Sequence, residues 1–75
     1  MMRRYIHTQK ELGENLRFIR ENLDLTQEDL ARILFIDRST YTYYETGKTL
    51  PSIFYLIKLS ETLEIDFLDF ICKML

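Results

Sequence analysis

Helix-start signals recur at short intervals along the chain, and this punctuation limits its folds more than any other feature. Thr8-x-x-Glu11 has the spacing of a capping box, in which the threonine accepts an orphan amide and the glutamate reaches back. It precedes Leu12, Leu16, Ile19 and Leu23 on one helical stripe, so a first helix is expected over about residues 9–22. Thr26-x-x-Asp29 repeats the signal in a weaker form, because Asp is shorter than Glu, and Leu30, Ala31 and Leu34 supply the inward face of a second helix. After a tight turn at Phe35-Ile36, Asp37 is expected to cap a third helix running to Glu45 or Thr46, where Gly47 takes a left-handed cap without strain. Pro51-Ser52 restarts the chain, with Ser52 as N-cap and Ile53, Leu56, Ile57, Ser60 and Leu63 on the buried side of a fourth helix. Asp66 is placed to cap a fifth, whose Phe67, Leu68, Ile71, Met74 and Leu75 form a wide apolar face. No alternating period-two segment is long enough for a strand, so an all-α domain of five helices is expected.

At 75 residues the chain makes one small domain, near the size where a single core is only just sufficient. The expected division is a flexible basic arm over residues 1–8, carrying Arg3 and Arg4, and a folded core over residues 9–75. Cys72 is the only cysteine and His7 the only histidine, so no intramolecular disulfide, metal cluster or nucleophile–base pair is available. No cofactor, no metal and no enzyme activity are expected, and a reducing, cytoplasmic setting follows. No apolar run approaches the roughly 20 residues of a membrane span, and the N-terminus lacks the apolar stretch of a secretory signal.

Charge argues against the simplest nucleic-acid reading. Ten Lys and Arg stand against 12 Asp and Glu, for a net charge of −2, whereas nucleic-acid binders usually carry a basic balance. Residues 1–51 hold eight charges of each sign, so the deficit lies entirely in the C-terminal third.

The third helix is two-sided. At about 100° per residue, Thr40, Tyr41 and Tyr44 fall on one arc, while Arg38, Ser39, Thr42 and Tyr43 fall on the opposite one. One face is suited to packing. The other offers the donors and acceptors that base edges in a major groove require, Arg being the commonest bidentate partner of guanine. An ordinary solvated helix face is the competing reading of those four residues.

Several motifs occur together at a characteristic spacing: Arg20, "LTQEDLA" at 25–31, "RST" at 38–40, "YETGK" at 44–48, Pro51-Ser52, and Leu63 with Ile65. On these residues the chain resembles the Cro/C1-type helix-turn-helix, or XRE, family over about residues 12–70. The resemblance implies a five-helix, lambda-repressor-like domain whose second and third helices form the helix-turn-helix. It also implies a homodimer that reads two inverted half-sites about 34–36 Å apart on double-stranded DNA. By position, Arg38, Ser39, Thr42 and Tyr43 would face bases, while Gln27, Thr46 and Lys48 would lie along the phosphate backbone. Gln27 would also brace the reading helix, and Arg20 and Glu45 would form an internal ion pair. Three positions depart from the pattern. Asp24 and Phe35 stand where glycine is frequent, and Tyr43 replaces a residue that is often Arg, Lys or Gln.

An apolar surplus remains beyond these stripes. Phe18, Phe54, Tyr55 and Phe70 fall on faces that a monomer this small would leave wet, and contiguous exposed apolar area marks an interface. The expected dimer surface lies on the fourth and fifth helices, at Phe54, Tyr55, Phe67, Phe70, Ile71 and Met74. Two functions compete. One is a DNA-binding transcriptional regulator that represses as a homodimer; the other is a protein-interaction module or antitoxin-like partner that kept the scaffold with weak or no DNA binding.

Overall fold

The structure, a computed structural model, describes residues 3–74. The element order is β1 (Arg3–Tyr5), α1 (Gln9–Asn22), α2 (Gln27–Leu34), α3 (Arg38–Thr46), α4 (Ile53–Leu63), α5 (Leu68–Ile71) and β2 (Cys72–Met74). The domain is mostly helical, with five helices. None of the described helices is long and apolar enough to cross a membrane.

Capping chemistry sets the helix starts, with two differences from the reading of the sequence. Thr26 and Asp29 complete a full reciprocal box, Thr26 N donating to Asp29 Oδ2 at 2.8 Å and Asp29 N to Thr26 Oγ1 at 3.0 Å. At the start of α1, Thr8 Oγ1 accepts from Glu11 N, but the Glu11 carboxylate accepts from His7 N instead of closing the box on Thr8. Asp37 occupies the N-cap of α3 in extended backbone, yet its side chain makes no capping hydrogen bond. Ser52 and Asp66 accept from Phe54 N and Leu68 N, two residues on in each case.

Glycine-like backbone falls at Gly47 and at three residues with side chains. Gly47, at φ 79°, ends α3 in the left-handed region. Asp24, Phe35 and Glu64 adopt the same region at φ 58°, 57° and 55°, each at a cost of roughly 1–2 kcal/mol. Phe35 thus makes the turn of the helix-turn-helix as the αL cap of α2, its ring 85% exposed beneath the Lys58 ammonium at 4.3 Å.

The core joins all five helices: Leu12 and Leu16 of α1, Leu30, Ala31 and Leu34 of α2, Tyr41 and Tyr44 of α3, Leu56 and Leu59 of α4, and Phe70 of α5. Gly13 lets α1 cross α3 at close range, since an added Cβ would fall inside van der Waals distance of the Tyr44 and Glu45 carbonyl oxygens. Leu23, at the end of the expected stripe, is exposed.

Three expectations are overturned at the chain ends and on α4. Residues 3–5 are not a free arm: β1 pairs antiparallel with β2, with Arg3 opposite Met74 and Tyr5 opposite Cys72. Arg3 bonds Asp69 at 2.9 Å, and Arg4 pairs with Glu11. Strands of three residues are too short for alternation to register, and an antiparallel pair between chain ends leaves no local turn signal. Because Cys72–Met74 are taken up in β2, α5 is a single turn, and the wide apolar helix expected there stops at Ile71.

On α4 the buried stripe is Leu56 and Leu59, while Ile53 and Ile57 are exposed. Apolar residues fill the run Ile53–Leu59 so densely that periodicity admits both phases. Among the residues expected at a dimer surface, Phe70 is a correction, because it is fully buried within the monomer. Tyr55, Phe67 and Ile71 are half-buried against the same core, and only Phe54 stands well clear, 74% exposed. The expectations for the Met74 side chain and for Leu75 lie outside the described residues.

Candidate nucleic-acid interface

The helix that carries the candidate reading face is anchored from behind by aromatic packing. Tyr41 and Tyr44 are buried and meet edge to face at 6.2 Å between ring centroids, with Tyr55 of α4 behind Tyr44 at 6.4 Å. Burial, and then the adjacent Glu45 carboxylate, pushes the Tyr41 phenol above its ordinary value. The Tyr41 hydroxyl lies near enough to the Glu45 carboxylate to favour its charge, but not in the alignment of a full hydrogen bond.

A second anchor is polar. Arg20 of α1 grips Glu45 of α3 with two bonds, Nε to Oε2 at 2.7 Å and Nη2 to Oε1 at 3.1 Å, and donates a third to the Leu25 carbonyl at 2.9 Å. Both partners are largely withdrawn from solvent. Burial pushes the Glu45 carboxyl up, but Arg20, Tyr41 and Gln27 together outweigh burial and hold it below the usual carboxylate range. Arg20 is raised in turn, chiefly by its bond to Glu45.

Gln27, the first residue of α2, extends this network toward the surface. Its Nε2 donates to Glu45 Oε1 at 3.0 Å, and its Oε1 accepts from Thr42 Oγ1 at 2.9 Å. The amide can face only one way, because a carboxylate accepts and never donates. The order Arg20, Glu45, Gln27, Thr42 therefore fixes α2 against α3 and draws the Thr42 hydroxyl proton inward. The same hydroxyl also lies 3.0 Å from the Arg38 carbonyl.

Arg38, Ser39, Thr42 and Tyr43 come together on the outer face of α3, where they line a shallow notch of about 260 Å³. Arg38, Ser39 and Tyr43 are exposed, and Thr42 is half-buried. At the end of α3, Tyr43 O accepts from Lys48 N at 3.0 Å, Thr49 N at 3.2 Å and Thr46 Oγ1 at 3.3 Å. This C-terminal wrap sets the Lys48 ammonium over the Tyr43 ring, 4.4 Å from its centroid. The N-terminal turn of α1 lies alongside: Gln9 Nε2 donates to Gly47 O at 3.2 Å, and the Lys10 backbone abuts Gly47.

The ion pairs redistribute the weak charge balance. Among the described residues, Arg3, Arg4, Arg17, Arg20, Arg32 and Lys73 each have a carboxylate partner. The cations without one are Lys10, Arg38, Lys48 and Lys58. Arg38 and Lys48 stand at the notch, so two of the four unpaired cations belong to this face, while Lys58 covers the Phe35 ring.

Two contributors went unrecognised in the sequence. Gly13 is one, and an isolated glycine inside a helical pattern is the signal that marks it. Lys10 is the other, since nothing local in the sequence shows that α1 begins beside the end of α3.

Comparison with known proteins agrees with this architecture. The helix-turn-helix family model matches residues 16–70. An uncharacterized HTH-type transcriptional regulator, YqaE of Bacillus subtilis (strain 168), is 40% identical over 61 residues, covering 81% of this chain. The match spans 52% of that protein, about half its length. Among solved structures, the restriction-modification controller protein C.AhdI from Aeromonas hydrophila superimposes with a TM-score of 0.75 at 31% identity, over 83% of this chain and 94% of that one. A transcriptional regulator from Listeria innocua gives 0.73 at 27% identity, over 80% and 56%. A hypothetical transcription factor, NHTF from Neisseria, shares the fold at 0.76 and 23% identity, over 87% and 75%. With the family model covering most of its length and the α2–turn–α3 unit in place, the chain belongs to the helix-turn-helix family of Cro/C1 type.

Proposed function

We propose that the chain is a sequence-specific, double-stranded DNA-binding transcriptional regulator that acts as a homodimer and represses by occluding a promoter. In this reading α3 enters the major groove, Arg38, Ser39, Thr42 and Tyr43 meet base edges, and Gln27, Thr46 and Lys48 lie along phosphates. The observation that carries it is the outward face of α3: four groove-suited side chains on a helix that is locked from behind, with Arg38 and Lys48 as unpaired cations at its notch. Gln27 retains a second Nε2 hydrogen for a phosphate while the first holds Glu45. The dimer is assigned to the exposed face of α4, where Ile53, Phe54 and Ile57 present adjacent apolar surface.

Selection of bound duplexes from a random pool tests this reading. Recovery of an inverted repeat with half-sites about 34–36 Å apart supports it. In the selected site, Arg38→Ala is expected to cost about 1–3 kcal/mol and to relax preference at one position. An equal loss on every sequence would reassign Arg38 to the phosphate backbone.

The competing reading, a protein-interaction module or antitoxin-like partner, is favoured by the net charge of −2 and by the exposed rings of Phe35 and Phe54. Failure to retain any duplex at low salt would transfer the function to it.

A further inference from the structure

The geometry points to the notch on α3 as a thymine-methyl reader, with Lys48 as the residue that positions its aromatic wall. This rests on the DNA-binding reading above and specifies which base feature Tyr43 and Thr42 recognise.

Three observations combine. The first is the polarity of the internal network. Glu45 requires the Gln27 amide to point its NH₂ inward, so the Gln27 oxygen takes the Thr42 hydroxyl proton. Thr42 then has no proton to offer a base, since both acceptors of its hydroxyl, Gln27 Oε1 and Arg38 O, are internal, and what remains for it to add to the notch it lines is its methyl group.

The second is the placement of Tyr43. A lone exposed phenol could stack a sugar, donate a hydrogen bond or pack a methyl against its ring. Here one face of the ring is covered by the Lys48 ammonium at 4.4 Å, so stacking on that face is closed. The ring also walls the notch, whose lining by Arg38, Ser39, Thr42 and Tyr43 is mainly apolar.

The third is that the C-terminal wrap of α3 imposes the Lys48 contact. Left-handed Gly47 turns the chain so that both Lys48 N and Thr49 N bond Tyr43 O. Lys48 can thereby hold the ring and still direct N–H groups outward to a phosphate. Of the features presented in the major groove, the C5-methyl of thymine is the apolar one, and it is the occupant such a notch would desolvate with gain.

The test compares thymine with uracil at each position of the selected duplex, which deletes the methyl and leaves the pairing edge unchanged. The full-length protein is expected to bind about fourfold more weakly when one particular thymine in each half-site is replaced. Thr42→Ser keeps the hydroxyl and its bond to Gln27 but removes the methyl, and Tyr43→Ala removes the wall; both should bring the thymine/uracil ratio at that position close to one. Lys48→Met should lower the ratio and also flatten the salt dependence by about one phosphate contact. A merely structural role for Lys48 would leave the ratio unchanged. A penalty that persists undiminished in Thr42→Ser and Tyr43→Ala overturns the inference, as does a half-site in which no thymine is penalised, although DNA binding itself would stand. If wild type retains no duplex, the DNA-binding reading fails, and the methyl reader fails with it.

Discussion

At the residue scale, the Arg20–Glu45 pair shows how a buried charge serves orientation. The pair is nearly dry, so its net contribution to stability is small, but removing one partner strands the other. Glu45→Gln is expected to cost about 3–5 kcal/mol in urea unfolding, because the Arg20 guanidinium loses its only carboxylate. The pH dependence follows from the depressed Glu45 value. Stability from this group is fully present above its ordinary value of 4.5 and is lost as pH falls through the lower folded value. Glu11 and Asp29 are depressed as well, Glu11 chiefly by the His7 amide and Asp29 by Thr26. Wild type should therefore lose stability below about pH 4.5, and Glu45→Gln should show a shallower acid limb without abolishing it. The phase of the three tyrosines on α3 was legible in the sequence, since helical geometry alone sends Tyr41 and Tyr44 one way and Tyr43 the other. The Gln27–Thr42 link was not, because it depends on how α2 seats against α3.

At the scale of elements, the starts and stops of α1 to α4 could be read directly, as caps and left-handed turns act over three or four residues. What escaped the reading depends on contacts far apart in sequence. The β1–β2 pair joins residues separated by almost the whole chain, and α5 is cut to one turn by that pairing. Phe70 looked like surplus surface because no stripe on its own element needed it, yet its ring is fully buried in the core that all five helices share. The crossing of α1 and α3 at Gly13 supplies the sharpest test at this scale. Gly13→Ala would improve helix propensity in isolation by about 1 kcal/mol. In the folded protein it is expected to destabilise by about 1–3 kcal/mol in thermal or urea unfolding, because the methyl meets backbone carbonyls that cannot step aside. A stabilised Gly13→Ala would mean that α1 and α3 stand further apart.

For the whole molecule, net charge was a poor guide, because it does not record which charges cancel one another. Among the described residues six cations are paired, and of the four left over Arg38 and Lys48 stand at the notch on α3, while Lys58 covers Phe35. The exposed apolar face of α4 is the matching feature on the association side. Phe54→Glu should leave a folded protein, judged by unchanged helicity, that sediments as a monomer, whereas unchanged sedimentation would place the interface elsewhere. The central claim is that the face of α3 grips a duplex through bases and phosphates together. The most direct measurement is affinity for a selected duplex across a range of salt concentrations. The account predicts that log K falls linearly with log salt at about −0.9 per phosphate contact, with Lys48→Met reducing the slope by about one contact. No detectable binding at low salt, or binding indifferent to salt, would contradict it.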